Sequence, residues 1–192
     1  MIDLVTAAID RHRDALTALE GMAADIVRAG ETLIAALAAG RTAFFCGNGG
    51  SAADAAHLAG ELSGRYLRER AALPAMALGM NPATLTAIAN DYGYDQAFAR
   101  ELDGLARPGD VLVALSTSGA SPSVLRALET ARAKGLARIG LTGPRAGAMT
   151  GLCDVCLNLP GDSTPRIQEM HKLVGHILCD LAERTAAPAQ GR

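Results

Sequence analysis

Thr42-Ala43-Phe44-Phe45-Cys46 runs into Gly47-Asn48-Gly49-Gly50-Ser51 and then into Ala52-Ala53-Asp54-Ala55-Ala56-His57-Leu58-Ala59-Gly60-Glu61. The first five residues read as a short buried strand, the glycines as a tight turn, and the alanine-rich stretch as a helix. A glycine turn feeding a helix N-terminus aims backbone N–H groups at an anion, and the helix dipole assists. His57 and Glu61 stand four residues apart on that helix and so share one face. An anion cradle and a possible metal or acid–base pair therefore lie side by side.

Working outward, apolar runs recur at 42–46, 75–79, 110–115, 137–142 and 154–159. Helical patterns separate them near 52–66, 82–104, 121–134 and, briefly, 145–151, and a long final helix is expected from about 165 to 184. Such alternation predicts an α/β fold, a doubly wound five-stranded parallel sheet flanked by helices. Residues 1–40 form an N-terminal helical segment, broken near Glu20-Gly21 or Gly30 and stopped at Gly40. Residues 185–192 are small and polar and read as a flexible tail, so the whole of 1–192 is one domain.

Composition excludes several classes. Hydrophobic residues make up 49% of the 192 but aromatics only 3%, too few to stack single-stranded nucleic acid. A formal charge of −2 argues against a nucleic-acid or anionic-membrane surface. No apolar run reaches the ~20 residues of a membrane span. The start, Met1-Ile2-Asp3-Leu4, lacks a basic leader, so a cytoplasmic protein is expected. Cys153 and Cys156 have C-x-x-C spacing but lead into a strand, where odd spacing sends thiols to opposite faces. All four cysteines, with Cys46 and Cys179, are read as reduced structural thiols.

Doubly wound sheets bind ligands at the carboxyl ends of their strands. Besides Gly47–Ser51, Ser116-Thr117-Ser118-Gly119-Ala120-Ser121 follows a strand there. Ser121 can cap the next helix, and Pro122 suits its first position. Four hydroxyls without a lysine suit a phosphate monoester, although hydroxyl-rich turns also serve structure alone. Gly47-Asn48-Gly49-Gly50-Ser51-Ala52 also fits the dinucleotide fingerprint, but Ala75-Met76-Ala77-Leu78 ends without the acidic residue that would hold a ribose. His57 and Glu61, with Asp54 and Arg65 on the same stripe, are equally compatible with a solvated charged face. His176, in the run Leu173-Val174-Gly175-His176-Ile177-Leu178, is equally compatible with a neutral core histidine.

Four ordered motifs resolve these alternatives by resemblance. They are Gly47-Asn48-Gly49-Gly50-Ser51 with Asp54, Ala55, His57 and Glu61; Leu85-Thr86-Ala87-Ile88-Ala89-Asn90-Asp91-Tyr92-Gly93-Tyr94; Gly109-Asp110-Val111-Leu112 with Ser116-Thr117-Ser118-Gly119 and Ser121; and Arg166-Ile167-Gln168-Glu169 with His171. Over its whole length the chain resembles the bacterial phosphoheptose isomerases of the sugar isomerase (SIS) domain family. The resemblance implies isomerisation of sedoheptulose 7-phosphate to D-glycero-D-manno-heptose 7-phosphate, the first step toward activated heptose. It implies substrate binding by Asn48, Gly49, Gly50, Ser51, Arg65, Asn90, Asp91, Ser116, Thr117, Ser118, Ser121 and Gln168. It also implies one zinc ion per subunit on His57, Glu61, Gln168 and His176, with Glu61 and His176 as the acid–base pair. Homotetramers with active sites at subunit interfaces are the implied assembly, the N-terminal helices forming the bundle.

The chemistry agrees, since an aldose–ketose isomerase must take a proton from C1 and return one to C2 through an enediol. A zinc-bound carboxylate is a weaker base, so Glu61 is expected to hold the ion loosely when substrate is bound. Gln168 and His176 are eight residues apart, about 12 Å along a regular helix. They share an ion only if it lies between them, if the helix begins after Gln168, or if different subunits supply them. A non-catalytic SIS protein that binds the replication initiator DnaA, and a sugar-phosphate isomerase with another substrate, are the alternatives. The first is opposed by Glu61 and His176, which such regulators lack.

Overall fold

The computed structural model describes residues 1–145 and 147–186. Five strands, β1 (Ala43–Cys46), β2 (Ala75–Ala77), β3 (Val111–Ser116), β4 (Ala137–Thr142) and β5 (Val155–Asn158), form one sheet in the order β2-β1-β3-β4-β5. Every pairing is parallel, with Phe45 opposite both Ala77 and Val113, and Gly140 opposite Cys156. Seven helices connect and flank the strands among the described residues: α1 (Ile2–Glu20), α2 (Ala23–Ala38), α3 (Gly50–Ser63), α4 (Pro82–Tyr92), α5 (Ala97–Leu105), α6 (Pro122–Ala133) and α7 (Thr164–Ala186).

Strand periodicity divides the core. Phe45, Val113, Leu115, Ile139 and Leu141 point to the face covered by α1, α2, α3 and α7, while Phe44, Cys46, Leu112 and Ala114 point to the face covered by α5 and α6. All six residues of β3 are buried, as a central parallel strand requires. The doubly wound five-stranded sheet read from the sequence is the observed one.

Several boundaries differ from expectation. The N-terminal segment breaks at Gly21-Met22, the first of the two expected positions, whereas Gly30 lies inside α2, where it packs so closely that any Cβ would lie 2.7 Å from Leu181 Cδ1. The expected helix over 82–104 is two helices: Gly93, at φ 91°, ends α4, and a 3₁₀ turn at Tyr94–Gln96 leads into α5. The short segment near 145–151 is a 3₁₀ turn, Gly147–Gly151. Of the 185–192 tail, 187–192 lie outside the described residues.

The C-x-x-C reading is corrected. β5 begins only at Val155, and Cys153 precedes it, its N–H donating to Met149 O. Strand alternation therefore does not separate the thiols. Cys153 and Cys156 instead converge over Gly140, where a Cβ would lie 2.7 Å from one sulfur and 3.1 Å from the other.

Candidate functional site

β1 pairs with β2 on one side and with β3 on the other, so the chain leaves β1 and β3 at a topological switch point. The two loops singled out in the sequence emerge there side by side. Gly47 has no room for a side chain, because a Cβ would sit 2.7 Å from Ser51 O. Gly49, at φ 57°, is the residue from which α3 starts, and no side chain caps that start. Asn48 is held at both ends of its amide: its Nδ2 donates to Ser123 Oγ at 3.0 Å, and Tyr94 Oη donates to its Oδ1 at 2.8 Å.

In the second loop Ser116 Oγ lies 3.0 Å from Ser121 Oγ and 3.4 Å from Ser118 Oγ, so three of the expected hydroxyls form one cluster. Ser121 occupies the cap position of α6, but its hydroxyl bonds Ser116 rather than the helix N–H groups. Thr117 contributes its carbonyl, which accepts from Gly143 N–H.

α3 and α7 face one another with matched stripes. Gly50, Asp54, His57 and Glu61 recur at helical spacing on α3, and Gln168, Lys172 and His176 do so on α7. Gln168 packs on Gly50, where a Cβ would lie 2.6 Å from its Nε2. Asp54 is buried and paired with Lys172 at 2.7 Å, so it is no part of a solvated charged face. At the far end His57 Nε2 lies 2.9 Å from His176 Nε2 and 3.1 Å from Glu61 Oε1. Gly175 permits this approach, since any Cβ would strike Leu58 at 2.5 Å. A cleft of about 730 Å³ runs past Gly50, Asp54, Gln168, Lys172 and His176.

His57, Glu61 and His176 can hold a metal ion, their donor atoms all lying within 4.8 Å of one another. Tetrahedral bonds of about 2.0–2.1 Å would place neighbouring donors about 3.3 Å apart, close to the observed 2.9 and 3.1 Å. Two imidazoles and a carboxylate also make a three-ligand set with an open fourth position. α7 is helical from Thr164, which removes the option that the helix begins after Gln168. Within one chain Gln168 stands at the Gly50 end of the stripe, about 12 Å along the axis from His176. Burial, and then the neighbouring His57, hold the His176 pKa below its ordinary value.

The remaining expected residues sit at the margin. Asn90 and Asp91 are exposed on the last turn of α4, bonded to each other at 2.8 Å, and three to four residues from the Tyr94 that reaches Asn48. Arg65 is exposed just beyond α3, with no hydrogen bond or ion pair among the described residues.

Sequence reasoning missed the strap over residues 64–74. Its Tyr66 ring lies 5.4 Å from the His176 ring. Glu183 of α7, fully buried, accepts the N–H groups of Tyr66, Leu67 and Arg68 at 2.7–2.8 Å and pairs with Arg70 at 3.4 Å. Arg70, equally buried, donates to Glu61 O at 2.8 Å and so ties the strap to the end of α3. Burial alone would raise the Glu183 pKa, but those N–H groups and Arg70 hold it below the usual carboxylate range. A Glu in the last turns of an amphipathic helix offers no signal of this. The turn residues Gly64 and Pro74 were the only hint.

Comparison with known proteins gives a concordant result. Residues 9–143 match the SIS domain family. A phosphoheptose isomerase of Rhodospirillum rubrum is 54% identical over 95% of this chain and 97% of its own length. The structure of phosphoheptose isomerase GmhA from Neisseria gonorrhoeae is 38% identical, with a TM-score of 0.89 over 95% of this chain and 98% of that one. A phosphoheptose isomerase from Francisella tularensis superimposes with a TM-score of 0.92 at 33% identity, over 95% and 98% of the two chains.

Proposed function

The chain belongs to the SIS domain family, and from that premise we infer that it is an aldose–ketose isomerase converting sedoheptulose 7-phosphate to D-glycero-D-manno-heptose 7-phosphate. The observation that carries this reading is near-full-length identity of 54% to a phosphoheptose isomerase in a chain that converges His57, Glu61 and His176. A DnaA-binding role without catalysis is not favoured, because that cluster would have no task in it.

Placement supports the following residue roles. The Ser116–Ser118–Ser121 hydroxyls and the N–H groups of Gly49 and Gly50, which no side chain caps, take the phosphate, the hydroxyls donating and the helix dipole adding attraction. Asn48, fixed by Ser123 and Tyr94, and Gln168, seated on Gly50, orient the sugar chain along the α3–α7 cleft. Arg65, Asn90 and Asp91 are assigned to substrate by the family resemblance. Glu61 removes the C1 proton and His176 moves protons at the sugar oxygens, giving an enediol that is reprotonated at C2. His57, Glu61 and His176 would hold one zinc ion per subunit. The chemistry that such an ion supplies is Lewis-acid stabilisation of negative charge on substrate oxygens. Gln168 joins that ligand set only by spanning the stripe or by coming from another subunit.

A homotetramer with active sites at subunit interfaces fits the surface of α1. Ile2, Leu4, Val5 and Ile9 are exposed there, and a groove of about 480 Å³ lined by Leu4, Val5, Ile9 and His12 runs along it. His12 also lines the α3–α7 cleft, so a second copy seated on the groove borders the site. Among the described residues no helix is long and apolar enough to cross a membrane, which accords with a cytoplasmic enzyme. Incubation with sedoheptulose 7-phosphate, with and without a chelator, followed by NMR, tests the activity. No turnover with zinc supplied would replace this reading with the binding-protein one.

A further inference from the structure

The isomerase reading leaves Cys153 and Cys156 without a task. Cys46 and Cys179 are buried, and burial pushes each of their thiols up to about 12, which makes them inert. Cys153 and Cys156 are only partly buried, on the sheet face that carries α5 and α6. Gly140 opens the space they share: with no side chain on β4 at that point, both sulfurs and Met149 Cε converge over its Cα. Thr150 Oγ1 lies 4.0 Å from the Cys156 sulfur, which itself faces Asn158 Oδ1 at 3.7 Å. Hydrogen bonding with Cys153, and then Thr150, draws Cys156 down to about 7 in spite of burial, while the contact with Cys156 and burial push Cys153 up. Cys156 is thus the thiol with polar neighbours and the more readily ionised of the two.

The pair is also connected to the hydroxyl loop. Met149 is fully buried; its carbonyl accepts from Cys153 N–H at 3.1 Å, and its own N–H donates to Gly119 O at 3.1 Å. Gly147, at the other end of the same 3₁₀ turn, lies so close to Gly119 that any Cβ would strike the Gly119 carbonyl. The turn Gly147–Gly151 is a single short bridge from the thiols to Ser118-Gly119.

We propose that Cys153 and Cys156 form a redox-active dithiol that closes to a disulfide and, through the Gly147–Gly151 turn, restrains the Ser116–Ser121 loop. The oxidant is a hydroperoxide. The Cys156 thiolate attacks one peroxide oxygen, the S–O bond forms as the O–O bond breaks, and the leaving oxygen takes up a proton. The Cys153 thiol then attacks the sulfenic sulfur, the S–S bond forms, and the S–OH oxygen departs as water with the Cys153 proton. With hydrogen peroxide, two thiols lose two electrons and two protons and two waters result.

The test treats the full-length protein with hydrogen peroxide and reads intact mass, free thiols and hydrogen–deuterium exchange. Two of the four thiols should be lost with a mass decrease of about 2 Da, mapped to the 153–156 peptide and reversed by a dithiol reductant. Exchange at 147–151 and 116–121 should be slower in the oxidised protein than in the reduced one. Cys153→Ser should stop at a sulfenic acid trapped by a dimedone probe, and Cys156→Ser should not react at all. Four thiols surviving, or losses that fall on Cys46 and Cys179, would overturn the dithiol. A disulfide that leaves exchange at 116–121 unchanged would overturn its link to the loop. None of these readouts involves sugar-phosphate turnover, so failure here is distinct from failure of the isomerase assignment.

Discussion

Glu183→Ala should destabilise the protein by ~3–5 kcal/mol, the cost of removing one member of a buried ion pair. The figure follows from what the substitution strands. Arg70 is fully buried and loses its 3.4 Å carboxylate partner, and the N–H groups of Tyr66, Leu67 and Arg68 lose bonds of 2.8, 2.7 and 2.8 Å. These losses share one acceptor and do not add, so the total stays near the value for a broken buried pair. With an m-value of about 2–3 kcal/mol per molar urea, the midpoint should fall by about 1.5 M. The measurement is urea unfolding followed by circular dichroism at one fixed protein concentration, since any subunit association adds to the apparent stability. Glu183→Gln keeps the shape and one acceptor oxygen and should lose clearly less than Glu183→Ala. Isomerase activity should drop in both, because the strap that Glu183 holds carries Tyr66 against His176 and Arg70 against the Glu61 carbonyl. A midpoint shift below ~0.3 M for Glu183→Ala would refute the reasoning, as it would mean that the strap finds other acceptors at little cost.

Glu61→Gln should lower kcat by ~10²–10⁴ with the fold intact, checked by NMR turnover of sedoheptulose 7-phosphate; near-normal activity would remove Glu61 as the base. Dialysis against a chelator should abolish activity and zinc should restore it, while His57→Ala should lose zinc in elemental analysis whether or not substrate is present. His171 is fully buried, and burial, only partly opposed by the Thr142 backbone and Asp54, pushes its pKa from 6.5 down to about 4. The folded state therefore binds fewer protons than the unfolded chain between those values, so its contribution is complete above pH 6.5 and is lost as pH falls toward 4, by at most ~3 kcal/mol. The urea midpoint of the wild type should fall relative to that of His171→Phe as pH drops from 6.5 toward 4; parallel profiles would show that His171 does not titrate in the fold.

What could be read from the sequence, and what could not, divides along a physical line. Phe44-Phe45-Cys46 and Val111-Leu112-Val113-Ala114-Leu115 announce buried parallel strands because both faces of each must be apolar, and the structure buries all of them. Gly47 and Gly49 announce a turn because one has no room for a Cβ and the other has positive φ. These are local requirements, written in the residue that meets them. Gly93 is the instructive miss. The apolar pattern on either side is continuous, yet positive φ at one residue splits the helix and swings Tyr94 onto Asn48. The C-x-x-C reading failed for a similar reason, since Cys153 precedes the strand, which starts at Val155, and so lies outside the alternation that would have separated the thiols.

Long-range partnerships left almost no local trace. Glu183 and the Tyr66 backbone are 117 residues apart, and His57 and His176 are 119 apart. Helical spacing alone shows that His57 and Glu61 share a face, and that Gln168, Lys172 and His176 share another, but not that the faces meet. Their meeting depends on Gly175 yielding its side-chain volume to Leu58, and on Gly50 yielding its own to Gln168. Because the stripes run in the same direction, Gly50 with Gln168 sits at one end and His57 and Glu61 with His176 at the other. A heptose phosphate is an extended molecule with its phosphate at C7 and its reacting carbons at C1 and C2, and the proposed roles would set its phosphate at the Gly50 end and its reacting carbons at the His176 end. On that proposal, separation of the two ends, rather than either motif alone, would select a long sugar phosphate over a short one.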